Sequence, residues 1–253
     1  MGINKVTIDG TTKINLLDTD IESSADIPTG KYGYLKTGEL VLGTGEFNMA
    51  NPLNGKIATF TGDSICYGAG YAGGYAGIIG TENNMTVQNL GVNGRCVADY
   101  DGNTGIWASI ADMRSDADYV ILEGGLNDAG YDVQLGTITS GYTDTLDTST
   151  FAGAFETMLK NAINKFPGKK IGYIFTTKAT PDYDSRDPST YYGVAKSACE
   201  KWGIPYCDLN VLVPPLRYIP ALEEVYTTDG IHPSEDGYRA YYVPKITAWL
   251  KTL

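Results

Sequence analysis

From residue 56 onward, five short apolar runs alternate with segments of helical period, and this alternation constrains the fold more than any other feature. The runs are KIATFT (56–61), MTVQNL (85–90), DYVILEG (118–124), KKIGYIFTT (169–177) and IPYCDL (204–209). Such a pattern predicts a parallel sheet with helices on its faces. Between the runs, TFAGAFETMLKNAINKF places Phe151, Phe155, Met158, Leu159, Ala162, Ile163 and Phe166 on one helical stripe behind a Ser149 or Thr150 cap. A second helix, YYGVAKSACEKWG (191–203), ends at Gly203, and a last one begins in SEDGYRAYY and should kink at Pro244. The stretch 129–148 has no helical period and reads as a loop over the strand ends. The expected architecture is an α/β fold around a five-stranded parallel sheet.

The first fifty residues have another texture, rich in Thr, Gly and Asp. KVTIDGTTKINLL alternates Val6, Ile8, Ile14 and Leu16 around Asp9-Gly10, and YGYLKTGELVLG repeats the plan around Thr37-Gly38. Both read as β-hairpins. The expected division is therefore a β-hairpin extension over 1–50 and a main domain over 51–253. Hairpins this short bury little alone, so the extension should pack on the main body or on another copy of the chain, giving a homo-oligomer.

Charge and composition exclude several roles. A net charge of −11 opposes nucleic acid and anionic membranes, both of which need a basic face. No apolar run reaches the roughly 18 residues of a membrane helix, and MGINKVTIDG lacks the apolar core of a secretory signal. These features leave the compartment open: cytoplasm, a phage virion, or a mature form without its signal. Cys66, Cys96, Cys199 and Cys207 have no metal-ligand spacing, and one histidine cannot supply a His-rich site, so neither metal nor cofactor is expected. Four buried thiols are the simplest reading, although Cys66 and Cys96 could end near each other and pair.

In an open parallel sheet, ligands collect at the carboxyl ends of the strands. After the first run comes Gly62-Asp63-Ser64; after the second, Asn89, Gly91, Asn93 and Gly94; after the third, Gly125, Asn127 and Asp128; and before the last helix, Asp229 and His232. Taken singly, each reads as a turn or a helix cap. Taken together they supply the parts of an acyl-transfer site. A serine hydroxyl needs an adjacent base, and the base needs an acceptor on its other nitrogen, roles open to Ser64, His232 and Asp229. His232 is the only histidine in the chain, so no other imidazole can take its place. The N–H groups of Ser64 and Gly94 and the Asn127 amide could stabilise an oxyanion.

The blocks GDSI, NLGVNG, GLND and DGIH, in this order, resemble those of the SGNH hydrolases, the GDSL-like lipase/acylhydrolase family, over about residues 56–253. The resemblance implies a three-layer α/β/α sandwich of flavodoxin type. It also implies Ser64 as nucleophile, Asp229 and His232 as its acid-base partners, and an oxyanion hole of Ser64, Gly94 and Asn127. Gly94 is preferred to Gly91 because the donor is the second glycine of that block. The absence of Gly at position 66 breaks the G-x-S-x-G pattern and argues against the α/β-hydrolase family.

The expected activity is hydrolysis of small acyl esters, acetyl above all, on a carbohydrate or other polar substrate, since 19 tyrosines favour a polar aromatic surface. A lipase, lysophospholipase or thioesterase is the alternative enzyme. The alternative of another kind is a phage-tail or surface module that binds or assembles with weak turnover or none. Arg95 could meet an anionic or hydroxyl-rich group. The Gly- and Tyr-rich YGAGYAGGYAGIIG leaves the first turns after Ser64 loose.

Overall fold

The computed structural model describes residues 5–8, 11–15, 32–35, 40–42, 51–177 and 188–253. The backbone divides into two compact units, Met1–Asn51 and Pro52–Leu253. In the first, β1 (Lys5–Ile8) pairs antiparallel with β2 (Thr11–Asn15), and β3 (Tyr32–Tyr34) with β4 (Leu40–Leu42). The turn dipeptides Asp9-Gly10 and Thr37-Gly38 lie outside the described residues.

The second unit holds one sheet built from the five apolar runs: β5 (Ile57–Thr61), β6 (Thr86–Asn89), β7 (Tyr119–Glu123), β8 (Lys170–Phe175) and β9 (Tyr206–Asp208). All pairs are parallel, in the order β6-β5-β7-β8-β9. This is the doubly wound order in which the chain changes direction beside its first strand, opening a crevice there at the carboxyl ends. Alternate residues of β7 enter two separate cores. Val120 and Leu122 join Phe151, Phe155 and Tyr192 on one face, whereas Tyr119 and Ile121 join Tyr75, Tyr242 and Ile246 on the other. Helices thus cover both faces and make three layers. No helix among the described residues is long and apolar enough to cross a membrane.

The helices are α1 (Ser64–Tyr67), α2 (Gly74–Asn83), α3 (Leu126–Gly130), α4 (Phe151–Lys165), α5 (Ser189–Trp202), α6 (Leu209–Leu212), α7 (Pro220–Tyr226), α8 (Glu235–Gly237) and α9 (Val243–Leu250). Thr150 caps α4 through its side chain, and Gly203 closes α5 at φ +68°. The irregularity expected at Pro244 comes one turn earlier, as a π-helical turn over Tyr238–Tyr242 that sends both of those tyrosines into the core. Pro244 follows within the first turn of α9.

The segment after Ser64 is broken rather than loose. Gly68, at φ +96°, ends α1 after a single turn, and a side chain there would overlap the Tyr71 carbonyl and the Gly74 backbone. Gly68→Ala should lower stability by about 2 kcal/mol, read from the urea midpoint; an unchanged midpoint would show that the turn relaxes freely.

The stretch 129–148 is irregular from residue 131 onward, as expected of a loop. Its first two residues belong to α3, and its middle is fastened to outer helices. Thr139 N–H donates to Glu156 Oε2 on α4 at 2.7 Å, while Lys201 Nζ on α5 donates to the carbonyls of Thr139 and Gly141 at 2.7 and 2.9 Å. A buried carboxylate needs such partners, and the loop supplies one of them.

Candidate active site

The strand ends β5, β6 and β7 and the loop before α8 converge at the crevice. Asp63 begins the site by capping α1: its Oδ1 accepts the Ile65 N–H at 2.9 Å, which turns Ser64 outward at the first helical position. Glu123, at the end of β7, lies beneath this turn and accepts the Asp63 N–H at 3.1 Å. Gly62 is required there, because a side chain would overlap Glu123 Oε2 and Cys66.

The Asp229-to-His232 loop is set by one carboxylate acting twice. Asp229 Oδ1 accepts the N–H groups of Ile231 at 2.9 Å and His232 at 2.8 Å, a local turn that folds the chain back on itself. Its Oδ2 then lies 2.6 Å from His232 Nδ1. Arg217 steadies the loop by donating to the Asp229 carbonyl at 2.8 Å, packed where a side chain on Gly230 would stand. Partial burial pushes the Asp229 carboxyl up, but the His232 and Ile231 donors outweigh it and hold it below the ordinary range.

His232 Nε2 lies 2.8 Å from Ser64 Oγ, completing a hydrogen-bonded line of serine, imidazole and carboxylate. Such a line fixes the imidazole tautomer with a proton on Nδ1, leaving Nε2 free to accept the hydroxyl proton. Ser64 is 7% exposed, enough for a small reactant but shielded from bulk water.

The remaining predicted residues separate into open donors and braces. Among the described residues, no protein acceptor is hydrogen-bonded to the N–H of Ser64 or Gly94. Gly91 is different, since its N–H donates to Asn89 Oδ1 at 2.9 Å and its Cα packs on the Tyr67 backbone. Asn89 also donates to the Cys66 carbonyl at 2.7 Å, tying the end of β6 to α1. Asn127 Nδ2 donates to the Arg95 carbonyl at 3.1 Å, which orients the amide and leaves its second N–H. Asp128 accepts the N–H groups of Val97 at 2.7 Å and Ala98 at 3.0 Å, holding the segment that follows Gly94. Burial pushes the Asp128 carboxyl up to about 7 against those donors. Arg95 Nη1 donates to Ser109 at 3.2 Å. Cys66 and Cys96 are buried free thiols, as are Cys199 and Cys207.

Sequence reasoning passed over Glu123 and Arg217. A carboxylate closing the apolar run YVILE was a signal, because a charge at the end of a buried strand needs a purpose. Arg217 gave none, since its role rests on a contact twelve residues away.

The GDSL-like lipase/acylhydrolase family model matches residues 60–240. Among solved structures, a Lactobacillus plantarum protein superposes with a TM-score of 0.69 at 25% identity, over 79% of this chain and 98% of its own. The lipase/acylhydrolase of Enterococcus faecalis gives 0.55 at 20% identity over 78% and 96% of the two chains. A family two carbohydrate esterase from Clostridium thermocellum gives 0.54 at 13% over 85% and 69%. No curated protein matches the sequence. With its four blocks inside the matched range and the parallel sheet they require, the chain belongs to the GDSL-like lipase/acylhydrolase family.

Proposed function

We propose that the chain is a serine esterase that removes small acyl groups, acetyl first, from a carbohydrate or similar polar alcohol. The observation that carries this reading is the unbroken line from Ser64 Oγ through the His232 imidazole to Asp229, at 2.8 and 2.6 Å. In the first step Ser64 Oγ bonds to the ester carbonyl carbon while His232 Nε2 takes the hydroxyl proton. The carbonyl oxygen becomes an oxyanion held by the Ser64 and Gly94 N–H groups and the free N–H of Asn127, each contributing about 3 kcal/mol. As the tetrahedral carbon collapses, the C–O bond to the alcohol breaks and His232 returns the proton to the leaving oxygen. Water, deprotonated by the same imidazole, then releases the acid and restores Ser64.

A cleft of about 450 Å³ adjoins Gly94, and its lining is polar and aromatic rather than a long apolar trough. This supports a small acyl group on a polar alcohol over a fatty ester. The purified chain should hydrolyse p-nitrophenyl acetate faster than p-nitrophenyl octanoate. It should also lose activity on stoichiometric phosphonylation, with the added mass on the peptide containing Ser64. Absence of both hydrolysis and labelling would overturn the reading.

A further inference from the structure

Two tyrosines from separate segments form a wall beside the open donor at Gly94. Tyr100 and Tyr131 stack with ring centroids 5.1 Å apart and planes 4° from parallel, each still more than a third exposed. Tyr131 follows α3 directly, and its N–H donates to the Asn127 carbonyl at 2.8 Å. A side-chain carbon on Gly94 would lie 3.7 Å from the Tyr131 hydroxyl.

The Tyr100 side of the wall is rigidly built. Tyr100 and Asn103 exchange backbone hydrogen bonds at 3.0 and 2.9 Å across Asp101 and Gly102, which both take positive φ. Asp99 pins the base of this turn: Oδ1 accepts the Gly105 N–H at 2.8 Å and the Trp107 indole N–H at 2.9 Å, and Oδ2 accepts the Thr148 hydroxyl at 2.6 Å. The cleft these elements enclose also presents Asn93, Arg95, Asp101 and Thr104, one positive and one negative side chain among them.

We infer that this cleft is the alcohol-side subsite and that it takes a neutral, polyhydroxylated six-membered ring; the inference rests on the esterase reading above. A pyranose ring has an apolar C–H face and an edge of hydroxyls, and each half finds its match. The aromatic wall offers planar apolar surface, while amide, carboxylate and hydroxyl groups offer both donors and acceptors around it. A fatty chain would leave those polar groups desolvated without partners. Because the base of the turn is already fixed by Asp99, ring binding does not require the loop to be ordered first.

The test compares acetate release from a monoacetylated methyl glucopyranoside with hydrolysis of p-nitrophenyl acetate. The ratio of the two kcat/KM values should fall about tenfold in Tyr100→Ala and in Asn103→Ala, and recover in Tyr100→Phe, which keeps the ring. Saturation-transfer NMR with unacetylated methyl glucopyranoside should show contacts in the wild type that vanish in Tyr100→Ala. An unchanged ratio together with absent contacts would overturn the subsite. If no ester is hydrolysed while the glycoside contacts persist and depend on Tyr100, the esterase reading fails and the ring-binding cleft stands.

Discussion

Ser64→Ala and His232→Ala should each reduce kcat for p-nitrophenyl acetate by at least about 10⁴-fold, and the double variant should lose little more than either single one. If serine and imidazole act as one unit across their 2.8 Å hydrogen bond, removing either disables the other. Residual turnover would come from the Ser64, Gly94 and Asn127 donors, which remain after the His232 change. Losses that multiply in the double variant would show that the two groups act independently and would refute the shared proton transfer. Activity in the wild type should also be lost in acid, read from the pH profile of p-nitrophenyl acetate hydrolysis. A protonated imidazole cannot accept the serine proton. The chain has a single histidine, but the buried Asp128 carboxyl is pushed up to about 7, so the acid limb assigned to the imidazole is the one that persists in Asp128→Asn.

The second large effect concerns the acid beneath Ser64. Glu123 and Asp63 are both fully buried, and among the described residues Glu123 Oε1 and Asp63 Oδ2 have no hydrogen-bond partner beyond each other's carboxyl. Burial raises both carboxyls above the ordinary range, and the Asp63 charge pushes Glu123 higher still. Glu123 is therefore the member of the pair that keeps a proton. For a group raised in the folded state, the stabilisation is complete below the unfolded carboxylate pKa, near 4, and is lost as the pH rises through the folded value. Glu123→Gln retains an acceptor for the Asp63 N–H and carries no charge, so it should match or exceed wild-type stability above pH 8. Glu123→Ala leaves that N–H unpaired beside a cavity and should cost about 3 kcal/mol at pH 5, and less at pH 8.5, where the wild type has itself lost stability. Urea unfolding at pH 5 and pH 8.5 measures both. Equal losses in the two variants at both pH values would rule out the proton-bearing role.

The central strands β5, β7 and β8 were legible because each is a mostly apolar run buried on both faces and bounded by polar turns. Ser64, Asp229 and His232 were legible for a different reason. Their chemistry needs particular residue types in short local motifs, and the Asp229 turn that aims the imidazole is made by residues three positions apart. What could not be read were consequences of long-range packing. The break at Gly68 arises from backbone that returns at Gly74, and the π-helical turn arises where Tyr238 and Tyr242 must both reach the core. The loop after α3 gave no sign that Glu156 would fasten its middle, because that contact joins separate elements. The Tyr100–Tyr131 stack is of the same kind: 19 tyrosines suggested an aromatic surface, but not which two would meet.

Within one helical turn and the residue after it, α3 combines three duties: Asn127 faces the crevice, Asp128 grips the backbone after Gly94, and Tyr131 forms part of the cleft wall. With Asn127 as an oxyanion donor and the cleft as the alcohol subsite, as proposed above, an insertion or register change in α3 should disturb rate and selectivity at once. The Tyr100 turn meets α3 through the ring stack on Tyr131, while its base is held separately by Asp99. Diversification toward new alcohols should therefore accumulate between residues 100 and 104, leaving α3 as the part of the site that tolerates least change.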